Sequence, residues 1–489
     1  MALAVSGAAL LAQTTQTAVV DVHAAATPFP HFWEQTFGSG RAILSLRESY
    51  RQDLRAVKQV TEFRYVRFHA IFHDEVGVYD EDDAGHPIYN FSYVDQIYDG
   101  LLANGVRPFV EISFMPRKLA ARQDIHPFWY KQVVSPPKDY AKWDDLIQHF
   151  ASHLVERYGV DEVASWYFEV WNEPNIDFWS GDPKQPTYFE LYDHTARALK
   201  SVSPRLRVGG PATAAADWVD DFLKHCAASH VPVDFISSHG YADDTVENLF
   251  HSKEEIPMDQ RVCRAIAKVR GQIQASAFPT LPLMWTEWNV PSFDALNARD
   301  KTYVGAALAD DIRQCDGQVA MMSYWTFSDV FEEGGVVRQP MTGMFGLVAA
   351  GGIRKPSFYA FSLLHQLGHE RIANAEENLL VTRREDGTIA LAAWNLADLD
   401  QPGSGGHVDL QFRGLKGDAR VLLSRVDAAH GNVLPLYEAM GRPVYPTPAQ
   451  VEQLNRATQL PPPQVAKLKD GHLSLDLAPN DLILVEIPK

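Results

Sequence analysis

The chain has 489 residues, of which 46% are hydrophobic and 22% charged, values typical of a globular protein. Its length suits a large domain joined to a smaller one. The formal net charge of -18 argues against nucleic acid or an anionic membrane surface as the main partner, and no apolar run is long enough to predict a membrane span.

The opening segment MALAVSGAALLAQ has the apolar core of a signal peptide but no Lys or Arg before it. The sequence therefore leaves the compartment open between cytoplasm and periplasm. The three cysteines, Cys226, Cys263 and Cys315, are widely spaced and form neither a CxxC pair nor a disulfide framework. We expect all three to be free, buried thiols.

Between residues 30 and 369, short apolar or aromatic runs alternate with longer segments that have helical spacing. The eight strand candidates, in chain order, are HFWEQTF, FRYVRFHAIF, RPFVEISFMP, WYFEVWNEPN, LRVGGPAT, DFISSHGYA, PLMWTEWN and MMSYWTFSD. Helical segments among them include YVDQIYDGLLANGV, YAKWDDLIQHFASHLVERYG, TYFELYDHTARALKSV and TYVGAALADDIRQC. KPSFYAFSLLHQLG supplies a last helix, which we expect to end at Gly368. Eight strand–helix units predict an α/β fold, a (β/α)8 TIM barrel over residues 30–369.

From residue 370 to residue 489 the pattern changes to short strands separated by loops, some of them rich in Gly and Pro. NLLVTRREDGTIALAAWNLA predicts a hairpin that turns at Asp386-Gly387, and HVDLQFRGL, ARVLLSRVD and DLILVEIPK continue the series. We predict an accessory all-β sandwich domain here, joined by one or more N-terminal strands from residues 13–29.

Two of the predicted barrel strands carry glutamates near their ends. Glu173 ends the fourth candidate strand just before Pro174, and Glu287 stands near the end of the seventh, four residues before Pro291. Functional residues of such a barrel lie at the C-terminal ends of its strands. We therefore expect the two carboxylates to reach one mouth of the barrel.

The fourth candidate strand also contains Glu169, and strand alternation would place Glu169, Trp171 and Glu173 on one face. Glu169 lies deeper, and an ionised carboxylate in an apolar setting needs a partner. We expect Arg67 or Arg64, both on the second strand, to pair with it. We interpret Glu169 as structural support rather than as a catalytic group.

Paired carboxylates at one mouth suit glycosidic bond cleavage, in which one carboxyl donates a proton and the other attacks the anomeric carbon or activates water. At a separation of roughly 5 to 5.5 Å the second carboxylate acts as a nucleophile and configuration is retained. Two charges at that distance repel by about 3 kcal/mol at an effective dielectric constant near 20, so we expect this repulsion to raise the pKa of the acid. Strand-end glutamates also form structural salt bridges, and the spacing alone leaves both readings open.

Several motifs, in the right order, resemble those of a known family. VWNEPN resembles the acid/base motif of the clan of retaining glycosidases with (β/α)8 barrels, in which an Asn-Glu pair ends strand four and a nucleophile Glu ends strand seven. GSGRA, FRYVRFH, FEVWNEPN, SSHGY, TEWN and SYWTFSDVFEE together resemble glycoside hydrolase family 39, which contains β-xylosidases and α-L-iduronidases. The resemblance covers most of the chain, including a β-sandwich built partly from the N-terminus.

This resemblance implies that Glu173 is the acid/base and Glu287 the nucleophile. Asn172 would hydrogen-bond the sugar 2-hydroxyl, and Trp325 would form the apolar floor under the pyranose. No metal and no organic cofactor is implied.

Five further residues match substrate-binding positions of the family. His69 on the second strand, and Glu332 with Glu333 after the eighth, would hold sugar hydroxyls, while His239 and Tyr241 would flank the nucleophile. The two adjacent glutamates could also belong to a solvated loop, and His239 could be a hydrogen-bonded core histidine.

His69 and His73, followed by Asp74 and Glu75, could suggest a metal site. A spacing of four residues does not pair two side chains on a strand as it does on a helix. We therefore predict no metal.

The expected function is a retaining, exo-acting β-xylosidase that releases xylose from short xylo-oligosaccharides. The close rival is an α-L-iduronidase-like enzyme, but a uronate carboxylate favours Arg or Lys partners, whereas FSDVFEE brings Glu332 and Glu333. A non-catalytic carbohydrate-binding protein would need neither Glu173 nor Glu287. The linkage preference, action on arabinosides and the oligomeric state, monomer or homo-oligomer, stay open.

Overall fold

The computed structural model describes residues 14–291, 296–399, 401–415 and 418–489. The opening segment MALAVSGAALLAQ, and with it the signal-peptide question, lies outside the described residues. Within the described ranges, no helix combines the length and the apolar character needed to cross a membrane.

Eight parallel strands close into a barrel and follow one another around it in chain order, which confirms the predicted (β/α)8 architecture. We number them as barrel strands one to eight: Thr36–Arg41, Tyr65–His69, Arg107–Ile112, Tyr167–Val170, Arg207–Thr213, Phe235–His239, Leu283–Trp288 and Met321–Tyr324. The first begins later than the run HFWEQTF predicts, because Phe32 and Trp33 lie in a turn, where their rings pack edge to face.

Helices connect the strands and pack around the outside of the barrel. The α-helices of this part are Glu48–Lys58, Ser92–Ala103, Tyr140–Tyr158, Val160–Val163, Lys184–Val202, Val219–Ser229, Val246–Phe250, Met258–Ala275, Tyr303–Cys315 and Pro356–Leu364. Short 3-10 turns cover Ala42–Leu46, Ala214–Ala216 and Ala298–Asp300.

The last of these helices ends at Leu364, so the predicted end at Gly368 is wrong. The Gly368 backbone N–H does not cap the helix but donates to Thr382 Oγ1 at 2.7 Å. A Cβ atom at residue 368 would clash with the backbone of Arg383. The glycine is therefore explained by close contact with a neighbouring strand.

Two further sheets pack face to face beside the barrel. The larger has seven strands in the spatial order Ala26–Pro28, Glu370–Ile372, Leu379–Arg383, Ile389–Trp394, Leu482–Ile487, Arg420–Val426 and Gln464–Lys467. The smaller has three strands in the order Thr14–Asp21, Gly406–Arg413 and His472–Leu477. Short two-stranded ribbons pair Tyr79–Glu81 with Pro87–Tyr89, and Val348–Ala349 with Ile353–Arg354.

Apolar side chains from both sheets, among them Val20, Leu391 and Leu410, form one core. The N-terminal strand lies parallel to Gly406–Arg413, and so contributes to the sandwich as expected. The predicted hairpin at Asp386-Gly387 is present, since the strands that flank it pair antiparallel. The division into domains at residue 370 stays a prediction.

Two helices, Leu434–Ala439 and Pro448–Thr458, interrupt the part of the chain that the sequence analysis reads as all-β. The second begins with a capping box formed by Thr447 and Gln450, a signal that the sequence already carried. Both helices pack against residues that follow the eighth barrel strand, including Ile353.

The prediction of three free thiols is wrong for two of the cysteines. Cys263 and Cys315 form a disulfide with a Cα–Cα distance of 4.9 Å, while Cys226 is free and buried. The bonded pair lies on helices Met258–Ala275 and Tyr303–Cys315, which pack side by side. A separation of 52 residues gives no sign of that packing in the sequence.

Candidate active site

The backbone turns sharply where the fourth barrel strand ends. That strand ends at Val170, and φ is +72° at Trp171 and +43° at Glu173. Positive φ values are uncommon outside glycine and cluster at functional sites. These φ values break the alternation of side chains between the two faces of the strand, which we expected to continue as far as Glu173. The Trp171 ring instead packs against Phe114 and Trp179, with ring centroids 5.4 and 5.0 Å away.

Arg67 on the second strand connects the polar groups at the base of the mouth. Its Nε lies 2.5 Å from Glu169 Oε2 and its Nη1 2.6 Å from Glu287 Oε1. Its Nη2 donates to Asn172 Oδ1 at 2.9 Å and lies 2.8 Å from Glu111 Oε2. Burial disfavours the guanidinium charge, but the three carboxylates outweigh burial and raise the pKa of Arg67.

The structure pairs Glu169 with Arg67 and not with Arg64, the other candidate partner. The second Glu169 oxygen accepts a hydrogen bond from Thr286 Oγ1 at 2.7 Å, and all three groups are fully buried or nearly so. Arg64 contacts Glu62 at the surface. The supporting role of Glu169 stays a prediction.

Glu287 stands in the seventh barrel strand, with one donor on each carboxylate oxygen. Arg67 holds Oε1, and the Tyr241 hydroxyl donates to Oε2 at 2.8 Å. Burial, followed by the charge of Glu287, raises the pKa of Tyr241 well above its usual value, so the phenol stays a donor. Two donors on separate oxygens fix the orientation of the carboxylate.

Glu173 lies beside His239, whose Nδ1 is 3.0 Å from Glu173 Oε1 and 3.7 Å from Glu287 Oε1. A ring nitrogen of His239 and one carboxylate oxygen each of Glu173 and Glu287 all lie within 4.8 Å of one another. The structure therefore brings one oxygen of Glu173 and one oxygen of Glu287, the two predicted catalytic carboxylates, within 4.8 Å of each other.

The two groups of the Glu173–His239 pair have shifted pKa values. Burial raises the pKa of Glu173 to about 7, although His69 and Arg67 oppose the rise and Glu111 adds to it. The expected repulsion from Glu287 is thus not the leading cause. Burial also lowers the pKa of His239 to about 4, so this imidazole is neutral at neutral pH.

The cluster of Glu173, His239 and Glu287 has the residue types of a metal site. A cation there would lie next to the Arg67 guanidinium, which already compensates Glu287. A second cluster of such types, formed by His31, Glu34 and His365, stands at the opposite end of the barrel, before the first strand. Its members are joined by direct hydrogen bonds of 2.6 to 3.0 Å.

His69, at the end of the second strand, bridges several carboxylates. Its Nδ1 lies 2.7 Å from Glu111 Oε2, and its Nε2 lies 3.5 Å from Glu333 Oε1 and 3.9 Å from Glu287 Oε1. Burial would lower the pKa of His69, but Glu111 and the other carboxylates outweigh it and raise the pKa to about 10. The imidazolium is therefore a fixed cation of the site.

The adjacent glutamates after the eighth strand have different surroundings. Glu333 faces His69, and burial raises its pKa to about 7. Glu332 instead pairs with Arg41, at 3.0 Å, and with Arg47. Burial opposes its charge, but both arginines hold the pKa of Glu332 below its usual value. Its predicted role in holding sugar hydroxyls stays untested, and both of its oxygens already have partners.

Comparison with known proteins shows the family of the chain. The model of the glycosyl hydrolases family 39 matches residues 17–469. The chain belongs to glycosyl hydrolases family 39. The β-xylosidase of Geobacillus stearothermophilus is 41% identical over 474 residues, which span 94% of this chain and 93% of that enzyme. The β-xylosidase of Caldicellulosiruptor saccharolyticus is 34% identical over 472 residues, or 93% and 95% of the two chains. A crystal structure of a monomeric β-xylosidase from Caulobacter crescentus CB15 superposes with a TM-score of 0.87 at 36% identity, covering 97% of this chain and 99% of the other.

Trp325, which we predicted to form the floor under the pyranose, lies beside His69 and Arg67. It is buried, its ring lies 4.9 Å from that of His69, and the Arg67 guanidinium is 5.8 Å from its ring centroid. Gly38, in the motif GSGRA of the first strand, packs against the indole so closely that a Cβ atom would clash with it. The motif glycine thus makes room for the Trp325 indole.

Two further residues, Glu111 and Arg41, contact the predicted site residues of this family 39 protein and were not expected from the sequence. Glu111 lies inside the third strand and is fully buried, where it contacts both Arg67 and His69. A glutamate in the apolar run RPFVEISFMP could have been recognised in the same way as Glu169, because an ionised carboxylate in an apolar strand needs a partner. Arg41 belongs to the motif GSGRA, but nothing in the sequence indicated that it contacts Glu332.

Proposed function

We propose that this chain is a retaining, exo-acting β-xylosidase that hydrolyses xylo-oligosaccharides by double displacement through a covalent glycosyl-enzyme. The observation that carries the proposal is the contrast between two close carboxylates. Glu173 has a pKa raised to about 7 and so has a proton to give, whereas Glu287 is held by Arg67 and Tyr241. Similarity along almost the whole chain to β-xylosidases supports xylosides as substrates.

In the first step a Glu287 oxygen attacks the anomeric carbon while the bond to the leaving oxygen breaks. Glu173 transfers its proton to that oxygen, so the aglycone leaves as a neutral alcohol. The product on the protein is an ester of Glu287, and Glu173 is left as a carboxylate. Arg67 and Tyr241 orient the attacking group, which is the effect of preorganisation.

In the second step water attacks the anomeric carbon of that ester and Glu173 takes the water proton. The ester bond breaks, Glu287 leaves as a carboxylate, and the sugar keeps its original configuration after two inversions. Glu173 regains a proton and the site returns to its starting state. His239 is neutral beside Glu173, and therefore does not add a positive charge that would lower the pKa of the acid.

The rival α-L-iduronidase-like activity requires a group that accepts a uronate carboxylate. Arg41, the last residue of the first strand, and Arg47, which follows it, are already paired with Glu332. Glu333 lies on the same side of the mouth and would repel a uronate whenever it is ionised. These contacts favour a neutral pyranose such as xylose.

Replacement of the nucleophile tests the proposal. Glu287→Ala should lose nearly all hydrolysis of nitrophenyl xyloside, because the covalent ester cannot form. Azide should restore part of the turnover with an activated aryl xyloside and give a glycosyl azide of inverted configuration. The exposed Glu254→Ala, which removes a surface pair with Arg264, is the matched control and should keep wild-type activity.

A panel of nitrophenyl xyloside, arabinoside and iduronide, with product anomers followed by NMR, separates the remaining alternatives. Retained β-xylose as the first product supports the proposal. Near wild-type rates in Glu287→Ala, or an inverted product from the unmodified enzyme, would contradict it. No turnover of any glycoside would favour a carbohydrate-binding protein.

A further inference from the structure

The loop after the third barrel strand forms one wall of the mouth. It runs over residues 113–139, from the end of that strand to helix Tyr140–Tyr158. The backbone N–H of Trp129 in this loop donates to the carbonyl oxygen of Glu333 at 2.8 Å. The loop is therefore joined to the segment that carries a sugar-facing glutamate.

Arg41 fixes the same wall from the side of the first strand. Its guanidinium carbon lies 5.3 Å from the Trp129 ring centroid and 5.2 Å from that of Tyr130, distances typical of cation–π contacts. The same guanidinium pairs with Glu75 and Glu332. The two aromatic residues are thus held beside the site, although the Trp129 side chain is 53% exposed.

Tyr130 differs from its neighbour because it is buried, at 7% exposure. Its hydroxyl has no hydrogen-bond partner among the described residues. Buried polar groups in native proteins are normally hydrogen-bonded, so a buried hydroxyl without a partner calls for an explanation.

Direct contacts place the Tyr130 ring beside the site: Tyr130 follows Trp129, whose N–H donates to the Glu333 carbonyl oxygen, and its ring centroid lies 5.2 Å from the Arg41 guanidinium carbon. After burial, which raises the pKa of Tyr130 well above its usual value, the strongest influence on it comes from Glu333, followed by Glu111 and Arg41. Glu333 and Glu111 are the two carboxylates that contact the His69 ring. The Tyr130 hydroxyl therefore stays a protonated donor, on a ring held beside the segment that carries Glu333.

We propose that the Tyr130 hydroxyl binds a ring hydroxyl of the terminal pyranose, with Glu333 as the second partner of the same sugar hydroxyl. A sugar hydroxyl accepts one hydrogen bond and donates another, so it can accept from Tyr130 and donate to the Glu333 carboxylate. The inference rests on the proposed glycosidase function and adds a specificity-determining residue to it. Since the family resemblance gives the 2-hydroxyl to Asn172, we assign Tyr130 to the 3- or 4-hydroxyl.

Removal of the one oxygen atom in Tyr130→Phe tests the assignment. The kcat/KM for nitrophenyl xyloside should fall roughly tenfold or more, because a sugar hydroxyl is left without its donor. Tyr98→Phe is the matched control: Tyr98 is also buried and its hydroxyl also lacks a partner among the described residues, but it packs outside the barrel against Phe68 and Trp166. This control should keep kcat/KM within about twofold of wild type.

Deoxy-xylosides then identify the contact. Wild type should lose kcat/KM on the substrate that lacks the bound hydroxyl, and Tyr130→Phe should lose little more on that substrate, because both halves of one hydrogen bond are then missing. The proposal is overturned if Tyr130→Phe retains wild-type kcat/KM. It is also overturned if the kcat/KM of wild type and that of Tyr130→Phe fall by the same factor on the 3-deoxy substrate and also on the 4-deoxy substrate. If Tyr130→Phe does not fold, Glu333→Gln takes its place. The kcat/KM of Glu333→Gln should then fall little further on the deoxy-xyloside that lacks the bound hydroxyl.

A failure of the proposed function gives a different result. In that case wild type cleaves no xyloside, and the comparison is made on the glycoside of the panel that is cleaved or on xylose binding by titration calorimetry. Weaker binding or turnover in Tyr130→Phe than in Tyr98→Phe still supports the sugar contact. Equal values in the two variants refute it.

Discussion

At the scale of single residues, the site contains carboxylates of similar chemistry in different surroundings. Glu287 accepts from Arg67 and Tyr241, whereas Glu173 lies beside a neutral histidine. Environment therefore separates a group suited to attack from a group suited to give a proton, as in other enzymes with paired carboxylates.

The first residue-scale prediction concerns pH. Because Glu173 must be protonated for the first step and its pKa is raised to about 7, kcat/KM should fall as the pH rises through about 7. Glu173→Ala should lose roughly 10²- to 10⁴-fold on substrates with poor leaving groups, and should lose this alkaline decrease on activated aryl xylosides. An unchanged alkaline limb in Glu173→Ala would assign the titration to another group.

Stability should respond to the same shift with a definite sign. A carboxyl whose pKa is higher in the folded than in the unfolded state favours folding while protonated and loses that advantage as the pH rises from about 4.5 to about 7. Glu173→Gln should therefore melt higher than wild type at pH 8 but not at pH 4. The shift of His69 has the same sign but acts at higher pH: its raised pKa stabilises the fold fully below about 6.5, and that contribution is lost as the pH rises from about 6.5 to about 10.

The next prediction concerns Glu169. Its loss leaves part of the buried Arg67 charge uncompensated, which costs about 3 to 5 kcal/mol. Glu169→Gln should therefore lower the Tm, and the folded protein should keep some activity because Arg67 still has Glu287 and Glu111 as partners. Neither azide rescue nor a burst is expected. Glu62→Gln, which loses only a surface pair with Arg64, is the control.

A different result for Glu169→Gln would contradict the supporting role. If Glu169→Gln melts like wild type and is inactive, then Glu169 belongs to the chemistry, and the roles of the two glutamates in FEVWNEPN are assigned wrongly.

At the scale of elements, short strands end where the site begins. The fourth strand has only four residues, and the positive φ angles that follow it aim Glu173 at the mouth. Strand existence and order could be predicted from the alternating pattern, because each strand must bury an apolar face. The local turn could not, since contacts of Trp171 with distant aromatic rings help to hold it.

The disulfide yields an element-scale prediction. By the chain-entropy model, closing a loop of 52 residues stabilises the fold by about 4 kcal/mol. Reductant, or the double change of Cys263 and Cys315 to Ala, should therefore lower the Tm. Cys226→Ala keeps the bond and should respond to reductant as wild type does. Alkylation of all three cysteines in folded, unreduced protein would contradict the pairing.

At the scale of the whole molecule, the barrel and the seven-stranded sheet share one hydrophobic core. Leu482 and Trp394 of the sheet belong to the same cluster as Leu308 and Phe361 of the barrel helices. Polar contacts cross the junction too, since Arg371 Nη1 lies 2.8 Å from Asp316 Oδ2. The predicted domain boundary at residue 370 therefore separates a barrel and a sheet that bury each other's apolar side chains.

A truncation tests this dependence. Residues 30–369 expressed alone should be insoluble or should lack a cooperative melting transition, because the helices that face the sheet would expose a large apolar patch. The full chain should show one calorimetric transition. A soluble barrel fragment with wild-type kcat/KM would show that the sheet is dispensable.

The sequence by itself determined the eightfold alternation, the accessory strands and the family motifs that single out Glu173 and Glu287. These are local or ordered features, readable from periodicity and from short runs. Only the tertiary structure decided that Arg67 contacts the predicted nucleophile as well as Glu169, that Glu332 pairs with arginines, and that Cys263 meets Cys315. The reason is physical: such contacts join side chains far apart in the chain, and their choice of partner, like the raised pKa of Glu173, depends on burial that arises only when the barrel closes.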